Sequence, residues 1–447
     1  MTFSTATPDN DSRILQAALQ FLRKIRTGWA TNVNSTITLV PLLEEIAPKP
    51  RYSTSGISRI ESIDIFRGMT VIVMVFVNDL SGATGLPWWT YHMPENANGM
   101  TYVDMVFPAF LFIVGMSIPL AIQRRLAKGQ SPGEIWGHIL VRSLSLMTLG
   151  LFLANAEKID PKWMGAHALL YTLLAFFGAL VLWSAYPASP KYKTLYRILK
   201  FSGLLALLWF VISFRRGVPD GHVAWLDFSY WEILGLIGGA YLAVSTLYLV
   251  LRKHLLLLAT ALVVLCALNT FFTIGWLKWL THFPGYYSSP FAAGLSSIAM
   301  AGLLLSVVFF EAPVAAWRKS RVSLAFGYAG ILAAAGLALS RFGISKMLDT
   351  PSWCLYCSAI NVGLFFLLYW LADVGHHTRW ATFARPAGSN TLLAYFLPYV
   401  LFVIPGLKSI SASGSHGWIG VLRATLFTTV VLILCAILTK RKVRLQL

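Results

Sequence analysis

RIESIDIFRGMTVIVMVFVNDLSGATGLPWWTYHMPENANGMTYVDMVFPAFLFIVGMS, residues 59–117, decides the fold. Two apolar stretches, about 64–80 and 103–122, flank a polar, aromatic loop. Each is long enough to cross a hydrocarbon core of about 30 Å as a helix. Charged groups sit at their ends: Glu61, Asp64 and Arg67 at the first, Asp79 after it, Asp104 at the start of the second. His92 lies in the loop between them. Ionisable groups near membrane depth are costly and mark function by default. The plain alternatives are helix capping by Asp79 and Asp104 and snorkelling by Arg67.

Outward from this hairpin the same pattern recurs. Of the 447 residues, 57% are hydrophobic and only 12% charged, against about 25% charged in soluble domains. Twelve apolar runs follow from residue 64: about 64–80, 103–122, 138–154, 167–186, 197–214, 230–250, 254–274, 291–310, 323–340, 355–373, 389–406 and 419–438. The count becomes eleven if the Arg252–Lys253 break marks a re-entrant element. The expected fold is all-α, a polytopic helical membrane protein; the alternating ten-residue strands of a membrane barrel are absent. Three regions are expected: 1–58, cytoplasmic with an amphipathic helix at 13–27; 59–439, the membrane domain; and 440–447, a basic tail. The first 12 residues do not read as a cleavable signal.

The formal charge is +18, but the basic residues are dispersed among membrane loops, so nucleic acid is not an expected partner. Membrane lipids are. Most Lys and Arg fall on one side if residues 1–63 are cytoplasmic, and the 81–102 loop carries none. That bias puts both termini inside and His92 outside. A multi-pass plasma membrane protein, in a bacterial inner membrane, is expected. Trp88, Trp89 and Tyr91 fit either an interfacial belt or a sugar-stacking surface. Arg142 and Glu232 lie within apolar stretches and need partners. Cys354 and Cys357 form a lone CxxC, and His376 and His377 lack a supporting ligand cluster, so no metal is expected. Nucleotide-binding, serine hydrolase and zinc-protease motifs are missing.

RIESIDIFRGMTVIVMVFVN at 59–78, His92, and NGMTYVDMVFPAFLFIVGMSI at 98–118 together resemble the heparan-alpha-glucosaminide N-acetyltransferase family of membrane acyltransferases. WEILGLIGGAYL at 231–242, YYSSPFAAGLSSIAMAGLL at 286–304 and AGSNTLLAYFLPYV at 387–400 extend the likeness more diffusely. The resemblance implies transfer of an acetyl group from cytosolic acetyl-CoA to an amino sugar outside. It places the family's loop histidine on His92, its aspartate before Phe-Pro on Asp104, and its late asparagine on Asn390. This chain departs from the family in three places. Two extra residues separate His92 from Asn98, spans 167–186 and 197–214 look inserted, and Glu232–Ile233 replaces a Gln-Arg pair.

Acyl transfer from a thioester needs a deprotonated acceptor, held reactants and a place for oxyanion charge. His92 is the candidate base, or a transient acyl carrier, because imidazole exchanges protons near neutrality. Asp79 or Asp104 would orient it. Trp88 and Trp89 would wall the pocket. Asn78, Asn98 and Asn390 would hold the acceptor or donate to a carbonyl, or else serve as turns and caps. Glu232 joins them as a substrate-binding candidate. Arg59, Arg67, Arg124, Arg125 and Lys128 gather at the cytoplasmic end and could bind CoA phosphates, although topology alone accounts for such charges. A homodimer is compatible with the sequence. Rival readings are a secondary transporter, for which no internal repeat speaks, and a non-catalytic scaffold.

Overall fold

A computed structural model describes residues 60–156, 158–164, 168–186, 190–218, 221–228, 231–279, 289–311, 321–403 and 411–445. The expected amphipathic helix at 13–27 and Arg59 lie outside the described residues. Twelve long helices carry the fold: α1 (Glu61–Leu80), α2 (Val103–Ala127), α3 (Pro132–Ala156), α4 (Ala168–Trp183), α5 (Lys193–Ser213), α6 (Glu232–Leu251), α7 (Leu255–Thr273), α8 (Ser289–Ser306), α9 (Arg321–Leu339), α10 (Pro351–Tyr369), α11 (Thr391–Val403) and α12 (Trp418–Lys440). Each falls on one of the apolar runs read from the sequence. The only strands among the described residues are a two-residue pair, Arg216–Gly217 with Val223–Ala224.

Nine helical segments among the described residues are long and apolar enough to cross a membrane. α4 and α11 are apolar but shorter there. α1 is long enough, but Glu61, Asp64, Arg67 and Asp79 interrupt its apolar character. This is therefore an all-α polytopic membrane protein. Its periphery is apolar: Ile212 on α5, Val263 on α7 and Ile331 on α9 point outward, largely exposed. Hydrocarbon is the solvent such surfaces need.

The core sits where α2 and α8 cross. A β-carbon on Gly115 would run into the Ala299 backbone, and one on Gly302 into that of Phe112. Small residues let the two backbones close on each other, the usual means of packing helices where lipid removes the hydrophobic drive. α3 lies along α6, α4 along α5, and α9 along α10. Pro108 and Pro119 stay within α2, tolerated because neighbouring helices support the freed backbone.

α1 is pinned at both ends by carboxylate bonds to parts of the chain distant in sequence. Asp373 accepts from the Glu61 and Ser62 amides at 3.0 and 3.1 Å, satisfying N–H groups that a helix start leaves open. At the other end Asp79 accepts from the Ser411 hydroxyl at 2.5 Å and the Ala412 amide at 2.9 Å. Arg142 finds its partner in the Tyr241 ring, 5.0 Å from the centroid, a cation–π contact.

Candidate active site

The loop between α1 and α2 is tied down at three places. Tyr91 donates its hydroxyl to the Ala83 carbonyl at 3.0 Å and accepts from the Leu86 amide at 3.2 Å. The Asn98 side-chain oxygen accepts from the Ile344 amide, and the Gly99 amide donates back to the Ile344 carbonyl, both at 2.8 Å. This clamp joins the loop to the 343–350 connection between α9 and α10. Asp104, at the start of α2, holds the third point. Its Oδ2 accepts from the Met93 amide at 3.2 Å, the Thr101 amide at 2.9 Å and the Thr101 hydroxyl at 3.2 Å.

The other oxygen of Asp104 lies 2.6 Å from His92 Nδ1. The aspartate side chain is 1% exposed and the histidine 31%. A buried, loop-ordering carboxylate thus orients an accessible imidazole. An ionised Asp104 can only accept, so Nδ1 carries a proton, and in the neutral imidazole the lone pair is then on Nε2. That is the arrangement of a base or nucleophile with its orienting partner.

The remaining candidates divide by place. Trp88 and Trp89 are largely exposed on this loop, with Trp89 6.0 Å from the Tyr102 ring centre. Asn98 is spent on the clamp through its oxygen. Asn78 and Asp79 instead line a separate cavity of about 360 Å³ with Phe176, Tyr395 and Tyr399. Glu232 is buried behind two of the tyrosines that line it. Its Oε1 accepts from the Tyr395 hydroxyl at 2.5 Å and from Tyr399 at 3.1 Å. Glu232 has a positive φ of 51°, a conformation costly for a non-glycine residue and concentrated at functional positions.

Asn390 sits at the opposite end of α1 from His92. Its amide donates to the Thr439 hydroxyl at 3.2 Å and the Val443 carbonyl at 2.9 Å, anchoring the C-terminal segment. The basic candidates occupy that end too. Arg67 reaches Ser117 at 2.9 Å and Asp64 at 3.4 Å. Arg125 donates to Gln130 at 3.1 Å, while Arg124 and Lys128 are exposed. From Asp104 to Arg124 along α2 is roughly 30 Å at 1.5 Å per residue. Among the described residues no group of three His, Cys, Asp or Glu could hold a metal ion.

Residues 59–268 match the family described as a domain of unknown function, DUF5009. Heparan-alpha-glucosaminide N-acetyltransferase from Mus musculus is 36% identical over 115 residues, 26% of this chain and 16% of that protein. The Homo sapiens protein of the same name is also 36% identical over 115 residues, 17% of its length. The chain resembles the heparan-alpha-glucosaminide N-acetyltransferase family. The matched stretch covers about a sixth of those acetyltransferases, so their activity as whole proteins is not carried over with it.

The acetyltransferase resemblance pointed to His92 and Asp104 but not to Lys346. Its Nζ lies 3.2 Å from both ring nitrogens of His92. Removal from water pushes the Lys346 ammonium down, while Asp104 and Asp349 pull it back up. Asp349, three residues on, adopts a positive φ of 47°. Its half-buried carboxyl is pushed up to about 7 by loss of water, against the pull of Lys346. One signal was available: a Lys and an Asp in the short connection SKMLDT between two apolar runs.

The raised Asp349 carboxyl makes stability depend on pH. The folded chain keeps a proton that the unfolded chain has already lost above its ordinary value of 3.8. Stability therefore falls as pH rises from about 4 to about 7 and is level above. At up to about 1.4 kcal/mol per unit, less as the folded group itself titrates near 7, the fall between pH 5 and 7 is about 2 kcal/mol. Asp349→Asn, which tolerates the same backbone, removes it. Thermal unfolding in detergent at pH 5 and 8 checks this: the drop seen in the parent shrinks in the variant.

Proposed function

We propose that this protein is a transmembrane acetyltransferase that takes an acetyl group from cytosolic acetyl-CoA and passes it to an amino sugar, glycan or lipid-linked sugar outside. The observation that carries the reading is the oriented His92–Asp104 pair on an exposed loop. The names of the relatives that match supply the reaction class. His92 Nε2 takes the proton of the acceptor as its nitrogen or oxygen attacks the thioester carbon. Trp88 and Trp89, large exposed flat faces on the same loop as the histidine, stack on the sugar. The protein would sit in a plasma membrane with both termini cytoplasmic, in keeping with the Lys/Arg bias.

Acetyl-CoA is a substrate here, and Arg124, Arg125 and Lys128 are the groups suited to its phosphates. Neutralising the three together raises the apparent acyl-CoA KM about ten-fold and leaves the acceptor KM within two-fold. Equal changes in both would remove the donor assignment. The roughly 30 Å between this end and His92 requires the acyl arm to run into the bundle.

The cavity bounded by Asn78, Asp79, Tyr395 and Tyr399 favours a second reading, a transporter of a small solute. Liposomes loaded with isotope-labelled acetyl-CoA separate the two. Transfer puts label on an outside acceptor as a new covalent product, whereas transport moves an intact solute. Cysteines placed at Ser81 and Lys191 in the same vesicles must label from opposite faces; labelling from one face overturns the orientation or the span count.

A further inference from the structure

We propose that Lys346 is a further catalytic residue, supplying the positive charge that stabilises the oxyanion of acyl transfer. The inference rests on the reading of His92 as the base. It starts from place: 254 residues from His92 in sequence, Lys346 Nζ stands 3.2 Å from both imidazole nitrogens. The surroundings are built to hold it there. Asn98 and Gly99 bind both sides of Ile344. The Thr350 hydroxyl accepts from the Ser345 amide at 3.0 Å, and the Thr350 amide returns to the Ser345 carbonyl at 3.1 Å. Ser352 donates its hydroxyl to the Gly343 carbonyl. A lysine meant only for solvent needs no such frame.

The reaction geometry follows from these positions. An acceptor that gives its proton to Nε2 lies within about 3 Å of it. The thioester carbon lies about 3–3.5 Å beyond the attacking atom. The carbonyl oxygen then falls within a short swing of Nζ on its four-carbon stem. As the new bond to carbon forms, the carbonyl electron pair moves to oxygen and His92 takes the acceptor's proton. On collapse the C–S bond breaks, and the proton passes from His92 to the leaving sulfur. Lys346 keeps its charge throughout and offsets the oxygen's negative charge, the role that preorganised donors play in such sites.

The groups facing Lys346 are His92, Asp104, Asp349 and the buried Cys357 of α10. A merely structural lysine would serve to neutralise Asp349. Lys346→Met should lower kcat at least about 100-fold with KM for both substrates within about three-fold, and Lys346→Arg should recover part of the rate. The double variant Lys346→Met/Asp349→Asn removes the charge imbalance and should fold at least as stably as the parent yet stay slow. Parental kcat in Lys346→Met, or its return in the double variant, overturns the proposal. If His92→Ala is inactive while Lys346→Met is fully active, only this inference fails. If His92→Ala is fully active, the reading beneath it fails.

Discussion

His92→Ala yields a folded membrane protein whose acyl transfer is slowed at least about 100-fold, the low end of what a positioned base contributes. Folding survives because the loop does not hang on the imidazole. Asp104 retains the Met93 amide, the Thr101 amide and the Thr101 hydroxyl, and Tyr91 and the Asn98 clamp are untouched. The side chain is 31% exposed, so its truncation opens no core cavity. Transfer by purified protein in liposomes, with thermal stability recorded beside it, is the measurement. A stable variant with near-parental rate would remove His92 from the chemistry. A covalent acyl adduct on His92, trapped by rapid quench, would replace direct attack by a two-step route. In that route the imidazole is the nucleophile and the same variant remains inactive.

The spans were legible because lipid forces a helix to advertise itself as a long apolar run. α1 was legible for a different reason, since its charges broke the run but marked the hairpin as functional. His92 and Asp104 lie twelve residues apart, close enough for a local motif to link them. Lys346 comes from the far half of the chain, and no periodicity in either segment says that α9 and α10 bring their connection to that loop. Asp79 shows the same limit from the other side. It stood almost as near to His92 in sequence as Asp104, yet it binds Ser411 and Ala412 and borders the Asn78 cavity. Asn390 was placed with the acceptor on the strength of its motif, whereas its contacts lie with Thr439 and Val443. Sequence supplies candidate residue types and their depth in the membrane. Which of them meet is set by helix pairings such as α2 with α8, and those depend on small residues such as Gly115 and Gly302 fitting a particular partner.

Asp104 separates orientation from architecture, and two substitutions read the two roles apart. In Asp104→Asn the amide must place either its oxygen or its nitrogen toward His92. With the nitrogen toward these donors, the Met93 and Thr101 amides lose their acceptor, a cost of about 1–3 kcal/mol for each buried group left unpaired; the Thr101 hydroxyl still has the Tyr91 carbonyl at 2.8 Å. The oxygen therefore stays with Met93 and Thr101, and the amide N–H faces His92 Nδ1. Nδ1 must then accept, which moves the imidazole proton to Nε2 and removes the lone pair the reaction uses. The expected result is a folded protein with kcat lowered about 100- to 10,000-fold, the range associated with a positioned proton acceptor. The nitrogen-15 spectrum of His92 in labelled protein would report the changed tautomer directly. Asp104→Ala should lose the same activity and also stability, about 1–3 kcal/mol for each of the Met93 and Thr101 amides left without its acceptor. It leaves Lys346 facing the loop without that counter-charge. An Asp104→Asn protein that keeps parental kcat with Nδ1 still protonated would show that the carboxylate does not set the histidine's proton. The 2.6 Å contact would then be part of the loop's scaffold and nothing more.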